Sequence, residues 1–251
     1  MNVTADMVRQ LIADHDNNRP RSRQTAVGPS DLSSPCSRRL VYQILGVPRV
    51  VPDTVNLSAW VGTQMHRGME LAAENHPDWQ TEVQVGLELS PGLVLSGTLD
   101  AYHRPSRTVL DYKSCGPSAL QKYRRRMPDN YETQIDVYGL LAVLSGRFTV
   151  DNVAIALIPR NGTLNDIHVM TRPWNQDRAD AAIKRFEALH TAAAAGPAVL
   201  PLTPAAHDCK FCAWWNPGTD DLTTGCPGQP ATDSSPQIAA WEPNTRERAR
   251  A

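Results

Sequence analysis

The chain lacks a basic surplus, a long apolar run and internal repeats. It carries 25 lysines and arginines against 26 aspartates and glutamates, a formal charge of −1, so no chain-wide positive field announces a nucleic-acid partner. No stretch approaches the ~20 apolar residues that a membrane-spanning helix needs. The opening MNVTADMVRQLIADHD has no apolar run of the kind that drives secretion. These absences argue against a membrane role and point to the cytoplasm, where thiols stay reduced. Hydrophobic residues make up 41% and charged residues 20% of the 251, which suits one folded core with extensions rather than a disordered chain.

What the chain does have is a charged pair of strands. The stretch LSGTLDAYHRPSRTVLDYKS covers residues 95–114. Val94, Ser96, Thr98 and Asp100 alternate with Leu93, Leu95 and Leu99, and Val109, Asp111 and Lys113 share a face of the next strand, because strand side chains repeat every second residue. Pro105 and Ser106 between them suit a turn. Asp100, Asp111 and Lys113 then converge, and buried charges are costly unless paired or metal-bound. Such a set suits metal-assisted phosphodiester hydrolysis. Hard cations take carboxylate oxygens, a bound ion activates water and clamps phosphate oxygens, and a lysine stabilises developing negative charge. A surface hairpin with an Asp–Lys pair satisfies the same spacing.

Two helical segments flank these strands. DNYETQIDVYGLLAVLSG, residues 129–146, opens with Asp129 and Glu132 at capping-box spacing and closes at Gly146. Gln134 and Tyr138 stand four apart and share a helix face. Upstream, LSAWVGTQMHRGMELAAE (57–74) carries His66, with Glu70 one turn on.

In order, Gly62-Thr-x-x-His66, Gly97-Thr-x-Asp100, Asp111-Tyr-Lys113-Ser and Gln134-x-x-x-Tyr138 resemble the RecB-type nuclease branch of the PD-(D/E)XK superfamily, over roughly residues 30–230. The resemblance implies an α/β restriction-endonuclease-like fold, a mixed central sheet flanked by helices. It implies His66, Asp100, Asp111 and the carbonyl of Tyr112 as ligands of Mg²⁺ or Mn²⁺, with Lys113 catalytic and Gln134 and Tyr138 contacting substrate or supporting the site. Many relatives have Glu where this chain has Asp111.

The five cysteines are Cys36, Cys115, Cys209, Cys212 and Cys226. Cys209 and Cys212 form a CxxC, and no thioredoxin-like βαβ start surrounds it. Four thiolates could hold zinc or an iron–sulfur cluster. One cysteine before the nuclease motifs and three after them resembles the CRISPR-associated RecB-like exonucleases and the nuclease domains of some bacterial helicase–nucleases. That likeness implies a 4Fe–4S cluster on Cys36, Cys209, Cys212 and Cys226, pinning both chain ends into a cysteine-rich cap. Thirteen residues separate Cys212 from Cys226, more than is usual in that family, which leaves Cys115 as the other candidate for the fourth place; directly after the DYKS strand, Cys115 reads as a free thiol near the active site, and the family order keeps Cys226.

Local basic runs are Arg19/Arg21/Arg23, Arg38/Arg39, Lys122/Arg124/Arg125/Arg126 and Arg246/Arg248/Arg250. The second and third could contact DNA; a solvated helix face is the alternative. Further helices are expected over 35–46, 57–75 and 176–195, and strands near 81–89, 93–102 and 107–114. VAIALI (153–158) and TLNDIHVMT (163–171) read as a hairpin turning at Asn161-Gly162. The expected organisation is a helix and basic linker over 1–30, a nuclease unit with its cap over 31–228, and a disordered tail over 229–251. The reading is a DNA exonuclease acting on single strands or free ends, with CRISPR-adaptation or recombination proteins as partners and oligomerisation open. A non-catalytic DNA- or partner-binding module of this fold and a structural zinc protein are the alternatives.

Overall fold

A computed structural model describes residues 3–17, 27–50, 57–206, 209 and 212–229. The basic residues Arg19, Arg21, Arg23, Arg246, Arg248 and Arg250 lie outside the described residues. The helices are α1 (Ala5–Asn17), α2 (Pro29–Leu32), α3 (Ser37–Ile44), α4 (Leu57–Ala73), α5 (Pro117–Arg125), α6 (Asp129–Leu144) and α7 (Gln176–Ala193). The strands are β1 (Trp79–Ser90), β2 (Leu93–His103), β3 (Thr108–Cys115), β4 (Asn152–Pro159) and β5 (His168–Pro173), in one sheet of that order. The pair β3–β4 is parallel and the other three are antiparallel. A parallel pair needs a long crossover, and α5 with α6 supplies it.

Helix α6 is the centre of the molecule. Nine successive residues, Gln134 to Ala142, are buried, so this helix is enclosed all round rather than amphipathic. Its apolar residues pack with Val109 of β3, with Val153, Ile155 and Leu157 of β4 and with Phe186 of α7. The alternate residues Leu110, Tyr112, Ala154 and Ala156 form a second cluster with Met65 and Met69 of α4. The sheet thus carries α6 on one face and α4 on the other. Gly146, at φ 69°, takes the left-handed turn that ends α6.

The alternation along β2 changes phase. Leu93, Leu95 and Leu99 belong to the cluster under α6, but beyond Asp100 it is Tyr102 that joins that cluster while Ala101 joins the α4 side. The even-numbered outer face expected at 94–100 therefore holds through Asp100, whose carboxylate meets His66 of α4, and the phase changes at Ala101.

Two local expectations are corrected. Pro128, not Asp129, is the N-cap of α6, and it has no capping side chain; Glu132 instead pairs with Arg178 at 2.6 Å. β4 and β5 do pair, but not through a two-residue turn at Asn161-Gly162. Asp166 accepts from the backbone N–H of Thr163 at 2.8 Å and from its hydroxyl at 3.0 Å, which draws Leu164–Asp166 into a 3₁₀ turn.

Both ends of the described chain meet in a cap. Val41 and Tyr42 of α3 pack with Val199, Leu200, Trp214 and Cys226. Tyr42 stacks on Trp214 with ring centroids 5.7 Å apart. Its hydroxyl lies 2.7 Å from the Leu222 carbonyl and 2.8 Å from that of Gly225. Trp214 Nε1 donates to the Val47 carbonyl at 2.8 Å. Among the described residues no helix is long and apolar enough to cross a membrane.

Candidate active site

The site begins where β2 and β3 part. Their ladder pairs His103 with Thr108, Tyr102 with Val109 and Ala101 with Leu110, and stops there; the next pair in that register would be Asp100 with Asp111. The Tyr112 N–H, left without a strand partner, donates to Asp100 Oδ2 at 2.8 Å. A carboxylate thus replaces a ladder bond and holds the fork open.

His66 of α4 closes one side. Its Nδ1 lies 3.1 Å from Asp100 Oδ1 and its Nε2 3.1 Å from the Tyr112 carbonyl. Burial alone would lower the His66 pKa, but the Asp100 hydrogen bond and the charges of Asp100 and Asp111 outweigh it, and the net direction is up. On the other side Lys113 Nζ lies 2.9 Å from Asp111 Oδ2 and donates to Oδ1 at 3.2 Å. Gln134 ties the pair together: its Oε1 accepts from Lys113 at 3.1 Å, and its Nε2 donates to Asp111 Oδ1 at 3.2 Å. Burial pushes Asp111 up to about 6, with Lys113 opposing and Asp100 adding to the rise.

Glu82 completes the site, and none of the sequence motifs includes it. Ligand atoms of His66, Glu82 and Asp100 lie within 4.8 Å of one another. Along β1 the pattern TEVQVGLEL reads Glu82 as one of several outward polar residues. Its φ of 49°, a left-handed conformation that strains a side-chain-bearing residue, breaks the strand opposite Asp100. Asp111 faces Lys113 and Gln134 and stands outside this group of three. The donor set fits a hard divalent ion. It offers two carboxylates and an imidazole beside the Tyr112 carbonyl, and the buried Asp111 Oδ2 has the Lys113 ammonium as its neighbour.

Helix α6 adds Tyr131, also missed, whose ring lies 4.9 Å from Lys113 Nζ. It precedes Gln134 by three residues, so both reach the lysine from one helix face. Tyr138 is buried instead. A Cβ on Gly97 would meet its ring at 2.9 Å and Pro29 at 2.9 Å, so the Gly97 of the Gly-Thr-x-Asp motif permits this close approach. Asp136, fully buried, accepts from Arg172 at 2.7 Å and Arg178 at 3.1 Å, and so anchors α6 to β5 and α7. Nothing in the local sequence distinguishes it from a surface helix residue.

The basic run Lys122, Arg124, Arg125 and Arg126 is exposed at the end of α5. Arg124 donates to the Asp166 carbonyl at 2.9 Å, and Arg126 lies 3.5 Å from Asp129. Arg38 turns into the cap, donating to the Thr203 carbonyl at 2.9 Å and toward Cys226 Sγ at 3.6 Å. Arg39 lines a cavity of about 10 Å³ together with Cys36, Cys209, Cys212 and Cys226. Burial raises the thiol pKa values of Cys209 and Cys212. Cys115 lies elsewhere, in the core beneath α6.

No family model matches the chain, and no curated protein does. Solved structures do. The crystal structure of SSO0001 aligns at a TM-score of 0.56 and 16% identity, covering 85% of this chain and 95% of that one. An alkaline exonuclease (LHK-Exo) from Laribacter hongkongensis aligns at 0.51 and 10% identity, covering 72% and 94%. At these identities the likeness is one of fold, and the fold is the mixed α/β PD-(D/E)XK type.

Proposed function

We propose that the chain is a metal-dependent deoxyribonuclease that hydrolyses phosphodiester bonds at DNA ends, with single strands as its substrate. One observation carries the reading. The β2–β3 fork gathers His66, Glu82 and Asp100 within 4.8 Å, beside a buried Asp111 paired with Lys113. His66, Glu82 and Asp100, with the Tyr112 carbonyl, would hold Mg²⁺ or Mn²⁺, which when bound would supply an activated water and charge for the phosphate. Asp100, by accepting the Tyr112 N–H, orients the next stretch of β3. Asp111 and Gln134 hold the Lys113 ammonium, which stabilises negative charge on the attacked phosphate. Exposed Lys122, Arg124, Arg125 and Arg126, with Arg39, provide phosphate contacts, while Arg38 serves the cap.

The four thiols around one cavity support a 4Fe–4S centre on Cys36, Cys209, Cys212 and Cys226. Among the described residues no three of these sulfurs lie within 4.8 Å of one another. That is wider than the ~3.8 Å edge of a tetrahedron built on ~2.3 Å zinc–sulfur bonds. The 10 Å³ cavity favours the second reading, a zinc ion. The nuclease unit spans 31–228, acts in the cytoplasm, and has adaptation or recombination proteins as partners by its cysteine order.

The test is digestion of end-labelled single-stranded DNA with Mg²⁺ or Mn²⁺. Wild type should shorten the strand and chelator should stop it. Asp111→Ala should bind without cutting; full activity in that variant overturns the assignment, and a wild type that binds but never cuts leaves a non-catalytic module. Iron with acid-labile sulfide in anaerobically purified protein supports the cluster, and zinc alone refutes it.

A further inference from the structure

We propose a second, non-catalytic phosphate site at the turn end of the β2–β3 hairpin, one that holds the backbone of a nucleic-acid strand away from the point of cleavage. The proposal rests on the nuclease reading and deepens it. The site is an open cleft of 520 Å³ whose lining includes Arg104, Arg107 and Arg147 with Tyr102, Phe148 and Thr149. Three guanidinium groups share it, and of these Arg107 is paired with the carboxylate of Asp151. In a chain of net charge −1, this local excess is not inherited from composition.

Two of the three guanidiniums are held in place before any ligand arrives. Arg147 lies over the Phe148 ring at 5.4 Å and donates to the Gln84 carbonyl at 3.2 Å. Arg107 Nε donates to Asp151 Oδ2 at 2.7 Å, and its Nη2 contacts the same carboxylate. Arg104 is exposed, and its guanidinium has no hydrogen bond or ion pair among the described residues. The wall between them is closed to other chemistry. Tyr102 and Phe148 are buried with ring centroids 4.6 Å apart. The Tyr102 hydroxyl is spent on the Thr149 carbonyl at 2.7 Å. The cleft therefore offers chiefly guanidinium donors and no open ring for a base to stack on. Planar guanidinium donors match phosphate oxygens. A ligand read this way is a phosphodiester backbone, bound without regard to sequence.

The backbone gives independent support. Arg107 has φ 48°, in the left-handed region, where glycine or asparagine sits at less cost. Among the described residues, the other non-glycine position of this kind is Glu82, in the carboxylate site. Strain of this sort persists where the surroundings over-determine it, and it gathers at ligand sites. Arg107 precedes Asp111 by four residues, ~13 Å at ~3.3 Å per strand residue. At ~3.4 Å per stacked nucleotide that is about four nucleotides, so a dinucleotide held at the carboxylates falls short of the cleft, whereas a longer strand can reach both.

The experiment uses the full chain and the double variant Arg104→Gln/Arg147→Gln, which leaves the Arg107 turn intact. Binding of a fluorescent single strand of about thirty nucleotides is followed by anisotropy across salt concentrations, in chelator so that nothing is cut. Cleavage of a dinucleotide, the short strand, is followed separately with Mg²⁺. The variant should bind the long strand about tenfold more weakly, with its salt slope reduced by ~1.4, two contacts at ~0.7 each. It should cut the short strand at the wild-type rate. Arg104→Gln alone, at an exposed side chain, should give half the change in slope. Unchanged affinity and slope overturn the proposal, as does an equal loss on both strand lengths. An arginine-dependent slope in a protein that cuts nothing upholds the cleft and refutes the nuclease reading; a wild type that binds no strand overturns both.

Discussion

The carboxylate fork and the cysteine cap are both clusters of donor atoms, yet they are assembled in opposite ways. The fork draws Asp100, Asp111 and Lys113 from one hairpin and concentrates charge where water is scarce. Asp111 is buried with Lys113 as its counter-charge, and Glu82 sits in a strained conformation beside Asp100. The cap draws Cys36 together with Cys209, Cys212 and Cys226 from the other end of the chain, and surrounds them with ordinary packing, the Tyr42–Trp214 stack above all. A cluster on one hairpin can be poised for chemistry at the expense of stability, because its neighbours hold it in place. A cluster between chain ends is where a bound centre stabilises most, because it closes a long loop.

The largest expected effect breaks the cap. Cys36→Ser and Cys209→Ser should each lose the proposed centre and several kcal/mol of stability, of the order of the ~5 kcal/mol by which cross-linking a loop of 100 residues disfavours the unfolded state. Cys115→Ser, in the core under α6, should cost ~1–2 kcal/mol and keep the centre. Thermal melts and metal content read this directly, and a Cys115 variant that bleaches while Cys226→Ser does not would reassign the fourth ligand.

The fork should respond with the opposite sign. Burial raises Asp111 from 3.8 to about 6, so without a metal ion its ionisation opposes folding. The stability this group contributes is complete below its unfolded pKa and is lost as pH rises through about 6. Asp111→Asn should therefore melt higher than wild type at about pH 7.5 in chelator. The advantage should shrink toward about pH 4, and Mg²⁺ should narrow it by stabilising only the wild type. A variant that melts lower at every pH would mean that the Lys113 pair dominates and that the fork, like the cap, is a net stabiliser.

The smallest effect sharpens the geometry of the lysine. Tyr131→Leu removes the ring 4.9 Å from Lys113, a contact worth ~0.5–2 kcal/mol. It should lower kcat several-fold with little change in KM, and Tyr131→Phe, which keeps the ring, should restore it. Equal loss in both variants would assign the effect to the hydroxyl.

Much of this molecule was legible residue by residue. The strands around Asp100 and Asp111, the common face of Asp111 and Lys113, the helix carrying Gln134 and the one carrying His66 all follow from periodicities of 2 and 3.6, which local sterics impose on any chain. The Asp129 cap failed because Pro128 took the position, and the tight turn at Asn161-Gly162 failed because Asp166 captured Thr163. Both are short-range competitions that spacing alone does not rank.

The sequence by itself determined that Asp111 and Lys113 share a strand face and that His66 and Gln134 lie on helices, because those properties need only neighbours along the chain. Only the tertiary structure decided that β2 and β3 part at the carboxylates, that Glu82 stands beside His66 and Asp100, and that Tyr131 backs the lysine. It also decided that Asp136 is a buried anchor rather than a surface acid. These outcomes depend on which surfaces are buried against which. A partner tens of residues away, by supplying or withholding a counter-charge, determines whether a polar side chain is solvated, paired or poised for chemistry.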